Sequence, residues 1–415
     1  MGVAPASAIF AIATSSPHPI DETLVRDLLQ AARKGRFFAG QHTGGGRGTL
    51  AIGGLLSEGA GNLLLHGRCG RDLSEVEAIR AHLRGSVSGE FAFVAERSDE
   101  LLGARDPLGA KPLYQGVASG LAVVSTEPSV IRSLSAEPEP VPPGYIVRLR
   151  GGCLRLAKYG CGLVAEPFRG SIDQAADEVG RLLKSSLMLR LKGVKSLGIA
   201  FSGGLDSSLL AVFLSKRHHV VLFSVFVEGS RDSSSAVRAA DELGLELRTV
   251  KVKGKDVSRV LSEMDPRAAS MSSMDRALSA GFHMASTSAS ELGLQTLVAG
   301  QGADEIFGGY HRHLELTSSR PWSLNALLME ELPRLEAGLR RDEAAIVRGG
   351  CEASFPYADF PLARLALSLP PDFLIAGGLR KIVLRRLAMN EGLPRPIVDA
   401  EKRAFQYSSG IGRLL

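Results

Sequence analysis

The stretch Ser202-Gly-Gly-Leu-Asp-Ser-Ser208 gathers the residue types that hold phosphate groups. It follows a short apolar run, Leu197 to Phe201, and leads into a helical stretch, Ser207 to Leu214. Two adjacent glycines, Gly203 and Gly204, let the backbone approach an anion closely. The free N–H groups of such a turn and helix start point at the anion. Ser207 and Ser208 add hydroxyl donors. Asp206 has the wrong sign for a phosphate ligand, so the chemistry open to it is to hold Mg²⁺ against the phosphates. No G-x-x-x-x-G-K-S/T run occurs in the chain, which rules out a Walker loop. The plainer alternative is a glycine turn with an aspartate helix cap, but S-G-G-x-D-S between a strand and a helix is a more demanding pattern than that.

Such a loop needs a sheet to carry it. From about Ile172 the chain alternates helical and apolar extended stretches: Asp173 to Leu191, Leu197 to Phe201, Ser207 to Leu214, Val220 to Val227, Ser233 to Leu243, Leu245 to Val252, Asp275 to Leu292 and Gln295 to Ala299. This rhythm predicts an α/β domain, a parallel sheet with helices on both faces. Ahead of it, Ala8–Ala13, Leu50–Leu56, Gly61–His66, Glu90–Ala95 and Ala122–Ser125 are short, β-rich and separated by glycine turns. Helices are expected only near Glu22–Arg33 and Leu73–Leu83. That pattern predicts an α+β domain of layered antiparallel sheet. Between the two, Pro138, Pro140, Pro142 and Pro143 with Gly144, Gly151 and Gly152 read as an edge-strand or loop passage late in the first domain. The expected domains are 1–165 and 166–415.

At 415 residues, 45% hydrophobic and 22% charged, the chain has the length of roughly two to three domains, can bury a core and is too apolar for long disorder. No export signal or membrane span is expected, so a cytoplasmic location is. The cysteines Cys69, Cys153, Cys161 and Cys351 show no C-x-x-C spacing, which argues against a structural zinc site or a disulfide framework. A net charge of +5 suits ATP as well as it suits nucleic acid and does not discriminate.

Ser202 to Ser208 resembles the pyrophosphate loop of the N-type ATP pyrophosphatases, which cleave ATP to AMP and pyrophosphate while adenylating an acceptor oxygen. Leu222-Phe-Ser-Val-Phe-Val-Glu-Gly-Ser-Arg-Asp232 resembles the second strand of asparagine synthetases, where the residue matching Val225 lies against adenine. Val298-Ala-Gly-Gln-Gly-Ala-Asp-Glu-Ile-Phe-Gly-Gly-Tyr310 is similar to that family's second hallmark, S-G-E-G-A-D-E-L-F-G-G-Y. Glu352 to Asp359, Arg380-Lys381 and Glu401-Lys-Arg-Ala-Phe-Gln-Tyr-Ser-Ser-Gly410 follow in the family's order, the last closest to its asparagine synthetase domain-containing branch. By these motifs the chain is identified as a member of the asparagine synthetase family.

The resemblance implies ATP and Mg²⁺ as cofactors. Nucleotide contacts would come from Ala200, Ser202, Gly203, Gly204, Leu205, Asp206, Ser207, Ser208, Val225, Ala299 and Gly300. Asp304 would join Asp206 on Mg²⁺, since two hard oxygens beside phosphate oxygens suit that ion. A solvated helix start is the plainer reading of Asp304 and Glu305. Three further positions would be catalytic: Lys402, Gln301 and Lys381. Lys402 matches the lysine that faces the acyl-adenylate, where a fixed cation stabilises oxyanion charge. Lys381 serves phosphates or starts a helix. Tyr310-His-Arg-His313 has two histidines at i, i+2 and no third ligand nearby, so it reads as an exposed polar stretch rather than a metal site.

Departures from the family are as telling. Its G-E-G-A-D-E glutamate is Gln301, and a neutral amide cannot serve as a general base. The arginine of E-x-R-x-P-F-L-D is Ser354, so acceptor recognition differs. Gly89-Glu-Phe-Ala-Phe-Val94 and Leu102-Gly-Ala-Arg-Asp-Pro-Leu-Gly-Ala-Lys-Pro-Leu-Tyr114 resemble the class II glutaminase domain that precedes these synthetases. There the cysteine after the initiator Met is the nucleophile and its α-amino group the base. Here Gly2 follows Met1, and Ser7-Ala-Ile-Phe-Ala-Ile12 best matches the family's C-G-I-F-G-I start. The glutamine-binding N-G-E becomes His66-Gly67-Arg68, and S-D-T-E becomes Ser74-Glu75-Val76-Glu77. A domain without glutaminase activity is expected.

The leading expectation is an AMP-forming amide synthetase acting on a small carboxylate, aspartate by default, with ammonia or another amine. The alternatives are amide or β-lactam-type synthesis on a different carboxylate, and a non-catalytic ATP-binding scaffold. No nucleic acid and no membrane are expected as partners, and a homodimer is compatible with the reading.

Overall fold

The computed structural model describes residues 9–14, 39–42, 49–54, 63–69, 89–97, 100–158, 163, 166–227, 231–264, 271–400 and 411. The chain divides into two compact units, Met1–Gly162 and Leu163–Leu415.

The first unit is built from two antiparallel sheets. Strands β1 (Ile9–Thr14), β2 (Ala39–His42), β3 (Thr49–Gly54), β4 (Leu63–Cys69), β5 (Gly89–Arg97), β6 (Glu100–Arg105), β7 (Tyr114–Ala118), β8 (Leu121–Ser125), β9 (Glu139–Pro140), β10 (Tyr145–Arg150) and β11 (Cys153–Lys158) are arranged as β2-β3-β1-β8-β7-β9 and β11-β10-β6-β5-β4. Small and branched aliphatic residues from both sheets meet in one core: Ala11 and Val124 from the first, Ala92, Val94, Val147 and Leu149 from the second. The expected layered sheet is therefore observed. The proline-rich passage puts β9 at a sheet edge, where a missing N–H does no harm. It also contains more than an edge or loop. After Pro143, Gly144 turns the chain at φ +78°, and β10 pairs on both sides, with β6 and β11, because Tyr145 to Arg150 lacks proline and can give every N–H to the ladders. The helices expected at 22–33 and 73–83, and Gly2, Ser7 and Ser74–Glu77, lie outside the described residues.

The second unit holds a five-stranded, wholly parallel sheet: β12 (Ser196–Ala200), β13 (His219–Val227), β14 (Glu246–Val252), β15 (Thr296–Val298) and β16 (Glu352–Ser354), in the order β14-β13-β12-β15-β16. From β12 the chain winds outward to β13 and β14, then returns to β15 on the other side and winds outward to β16. Parallel crossovers are right-handed as a rule, so two sets running in opposite directions place helices on both faces, as expected. The helices needed below are α1 (Ile172–Arg190), α2 (Leu205–Ser215), α3 (Arg231–Leu243), α4 (Ser273–Glu291), α5 (Ala303–Phe307), α6 (His311–Ser319), α7 (Leu324–Gly349), α8 (Phe360–Ser368) and α9 (Ile382–Asn390). The winding reverses between β12 and β15, and at such a point open α/β sheets usually bind ligands in the crevice at the carboxyl ends of their strands. The two loops at this point are 201–204 and 299–302. Among the described residues no helix is long and apolar enough to cross a membrane.

Candidate functional site

The first loop is shaped by backbone conformation as well as by residue type. Beyond β12, the Phe201 N–H still donates to Phe223 O at 2.8 Å, and the chain then turns through Gly203 at φ +73°. A side chain at Gly203 would also meet Ser235 O at 2.7 Å, at the start of α3, so glycine is required twice over. Gly204 caps α2 without a side chain, leaving the helix-start amides to a ligand. Ser202 and Ser207 hold the turn through long contacts: Gly204 N–H to Ser202 Oγ at 3.3 Å, Ser207 Oγ to Gly204 O at 3.3 Å, and the two hydroxyls 3.4 Å apart. Ser208 Oγ is fully buried and no described residue partners it. These donors are weakly engaged, and a phosphate oxygen offers them a better acceptor.

Asp206, in the first turn of α2, and Asp304, in the first turn of α5, converge on one cation. Lys381 Nζ lies 2.6 Å from Asp206 Oδ2 and 2.6 Å from Asp304 Oδ1. Lys381 is 4% exposed and occupies the N-cap of α9 with φ +58°. Burial pushes its ammonium below the usual lysine value, while Asp206 and Glu305 hold it up. Asp206 Oδ1 is buried with no hydrogen-bond partner among the described residues. Two carboxylates gathered on one positive charge, one with an oxygen to spare, form a hard-oxygen set that fits Mg²⁺. No group of three or more His, Cys, Asp or Glu ligands occurs among the described residues, so phosphate oxygens and water would complete the shell, as Mg²⁺ prefers.

Sequence reasoning missed the groups that hold this pair in place. One of these is Gly309, two residues beyond the end of α5. A Cβ there would collide with Asp304 Oδ1 and Lys381 Cε and lie 2.7 Å from Asp304 Cγ. Arg380 donates to Gly309 O at 2.9 Å, and the fully buried Tyr357 donates from its hydroxyl to Asp206 O at 3.1 Å. The Tyr357 segment is clamped by α1: Ser186 Oγ donates to Pro356 O at 2.7 Å, and Arg190 pairs with Asp359 at 3.0 Å while also donating to Ala358 O. The only sequence signal for this was the match of 352–359 to the family pattern.

Of the remaining expected residues, Ala200 ends β12 and Leu205 opens α2. Ala299 donates to Ser354 O at 3.0 Å, and a Cβ on Gly300 would lie 3.3 Å from Asp206 Cβ, so the two loops touch. Val225 is buried on β13, two residues beyond the last β12–β13 pair and hence at the crevice end of the sheet. Gln301 does not stand alone: its Nε2 donates to Asp342 Oδ2, on α7. Arg341 Nε donates to Asp342 Oδ1 at 2.7 Å and also pairs with Asp275 of α4. Burial pushes the Asp342 carboxyl up, against the Arg341 and Gln301 bonds. Ser354 is buried on β16. Lys402 lies outside the described residues.

The expected exposed stretch at 310–313 is a correction. His313 is completely buried; its Nε2 lies 2.8 Å from Glu331 Oε2, and its Nδ1 accepts from the Tyr310 N–H at 3.4 Å. Arg312 forks onto Glu331 with two 2.8 Å bonds, and Tyr310 donates to Glu305 at 2.6 Å. Helical spacing turns His313 inward toward α7 while His311 stays outside, a distinction that an i, i+2 pattern alone does not reveal.

Residues 178–345 and 335–414 match the family model described as Asparagine synthase. The chain belongs to the asparagine synthase family. It is 30% identical over 274 residues to a putative asparagine synthetase (glutamine-hydrolyzing) 1 of Methanocaldococcus jannaschii, covering 58% of this chain and 50% of that protein. It is 24% identical to a probable asparagine synthetase (glutamine-hydrolyzing) of Acanthamoeba polyphaga mimivirus, covering 78% and 64%, and 26% identical to asparagine synthetase (glutamine-hydrolyzing) 2 of Oryza sativa subsp. japonica, covering 79% and 58%. The chain thus spans between half and two thirds of the length of these relatives. Among solved structures, NMN synthetase from Francisella tularensis matches at a TM-score of 0.32 and 13% identity, covering 58% of this chain and 78% of that one, a likeness too loose to bear on the site.

Proposed function

We propose that this member of the asparagine synthase family is an ATP- and Mg²⁺-dependent synthetase that forms AMP, and that it works without a glutaminase. The observation that carries the reading is the pairing of the Ser202–Ser208 loop with two carboxylates, Asp206 and Asp304, gathered on a buried cation at the sheet's winding reversal. The glycine turn and helix-start amides would seat the pyrophosphate end of ATP, with Ser202, Ser207 and Ser208 donating to its oxygens. Mg²⁺, when bound, would neutralise charge on the leaving pyrophosphate. Val225 and Ala299–Gly300 would flank the nucleoside. A carboxylate oxygen of the substrate attacks the α-phosphorus and the bond to the bridging oxygen breaks, releasing pyrophosphate. An amine nitrogen then attacks the acyl carbon, AMP departs with the electron pair of the C–O bond, and the nitrogen gives up a proton. Lys381, and Lys402 by its match to the family, would meet the negative charge that develops in these steps.

The loss of glutaminase is supported by residue type. The stretch matching the family's nucleophile segment, Ser7 to Ile12, has no thiol, and His66-Gly67-Arg68 replaces the glutamine-binding N-G-E. Aspartate is the first carboxylate to test, and Ser354 favours a different one, because a buried hydroxyl cannot clamp a second carboxylate as a guanidinium does. The decisive experiment is a screen for AMP release across carboxylates, aspartate first, with ammonium chloride as amine and Mg-ATP saturating. The expected result is carboxylate-dependent AMP matched one for one by pyrophosphate, with glutamine unable to replace ammonium. ADP as product, or no carboxylate dependence across the screen, would overturn the reading.

A further inference from the structure

Position 301 belongs to the second of the two loops, 299–302, and there this chain carries an amide where the resembling synthetases carry a carboxylate. The surroundings supply a physical reason. Asp342 is 0% exposed, and both of its oxygens are engaged, Oδ1 by Arg341 Nε at 2.7 Å and Oδ2 by the Gln301 amide nitrogen. Arg341 is shared with Asp275, which sits at the start of α4 beneath its Ser272 cap. Counting formal charges, Asp275, Arg341 and Asp342 already sum to −1. A carboxylate at 301 would face a second carboxylate with no further cation in this chain of contacts, an arrangement in which both groups cannot stay ionised. An amide fits because it turns a donor toward Asp342. A carboxylate bonded to a guanidinium is acceptor-only, so the NH₂ of Gln301 is the end that faces it. The carbonyl Oε1 is then the end left over, and no described residue donates to it.

We propose that Asp342 is a positioning residue for Gln301: by taking the amide's NH₂ it fixes the side chain, so that position 301 presents a neutral carbonyl oxygen, an acceptor for an N–H of the incoming nucleophile and not a base. This rests on the crevice being the adenylation and amination site proposed above. The consequence is that the nucleophile enters as a free base, oriented through its own N–H, and its proton leaves to solvent or to another group. It also follows that Gln301→Glu alone restores no base, because the new carboxylate shares a proton with Asp342.

The test is a double-mutant cycle on the full chain, read by thermal melting between pH 5 and 8 and by NMR of protein labelled with ¹⁵N-glutamine. The chain has seven glutamines, few enough for the Gln301 side-chain amide to be assigned by its loss in Gln301→Glu. In the wild type this NH₂ should be shifted downfield and exchange slowly, and Asp342→Asn should abolish both signatures. Gln301→Glu should lower the Tm at pH 8 by about 5 °C or more, because the folded pair must hold a proton that the unfolded chain does not, and the loss should shrink toward pH 5. In the Asp342→Asn background the same substitution should cost little and show no recovery. An amide signal indifferent to Asp342→Asn, or a Gln301→Glu penalty that persists in the Asp342→Asn background, would overturn the proposal. Neither readout needs a substrate, so failure here leaves the synthetase reading to the AMP-release screen, and failure of that screen leaves the fixed amide intact while removing its catalytic meaning.

Discussion

Lys381 sits between Asp206 and Asp304 at 2.6 Å from each, where the proposed function places Mg²⁺. One ammonium shared by two carboxylates brings their charge from −2 to −1 and lessens their repulsion, and a divalent ion must share or displace that ammonium. Lys381→Met removes the internal cation while leaving both oxygen ligands. Binding of Mn²⁺ without nucleotide, followed by electron paramagnetic resonance, should tighten by roughly tenfold, as expected when a competing buried charge is removed. The metal-free variant should melt at lower temperature than the wild type, and added Mn²⁺ should close part of that gap. Weaker Mn²⁺ binding in Lys381→Met would show that the lysine supports the ion rather than standing in for it. Gly309 matters at the same scale, since any side chain there would enter the space of the Asp304–Lys381 pair.

At the scale of elements, the Gly308–Tyr310 turn is tied to the long helix α7 through His313. Glu331 is held down at about 2: burial raises it, and the hydrogen bonds from Arg312 and His313 more than offset that. Burial pushes His313 below its usual value, with Glu331 opposing. Both folded-state values lie below the unfolded ones, so both groups bind fewer protons in the folded state and both contributions are lost on acidification. The His313 contribution is complete above about pH 6.5 and declines below it; that of Glu331 is complete above about pH 4.5 and is lost on the way to about pH 2. Thermal melting from pH 8 down to pH 3 should therefore show a fall that begins near pH 6.5. His313→Gln, which keeps a donor toward Glu331 and cannot titrate, should flatten that first limb and leave the fall below pH 4.5. A first limb unchanged in His313→Gln would assign it to other groups.

At the scale of the molecule, each unit has its own sheets and its own buried core, and every described group of the candidate nucleotide site lies within Leu163–Leu415. That unit expressed alone should fold and bind Mg-ATP with the affinity of the full chain to within about threefold by calorimetry, a difference below 1 kcal/mol. Lost binding in a folded fragment would mean that the first unit contributes to the nucleotide site. Several features were legible in the sequence because they are local. An apolar run, two glycines and a serine–aspartate helix start are contiguous from 197 to 208, so strand, turn and helix follow from neighbours along the chain. The alternation beyond Ile172 was enough for a parallel sheet, and the glycine-separated β-rich runs before it for antiparallel layers. Only the tertiary structure joined residues far apart in sequence. Gln301 to Asp342 spans 41 positions, Tyr357 to Asp206 spans 151, and Lys381 to Asp206 spans 175. The same holds for His313, whose burial depends on which face α6 turns toward α7. No local propensity encodes such pairs; the packing of helices around the sheet decides which side chains meet. Residue type and spacing thus determined a glycine loop at a helix start, two aspartates and a neutral amide at 301, while packing decided that Lys381 lies between Asp206 and Asp304 and that Asp342 meets the Gln301 amide.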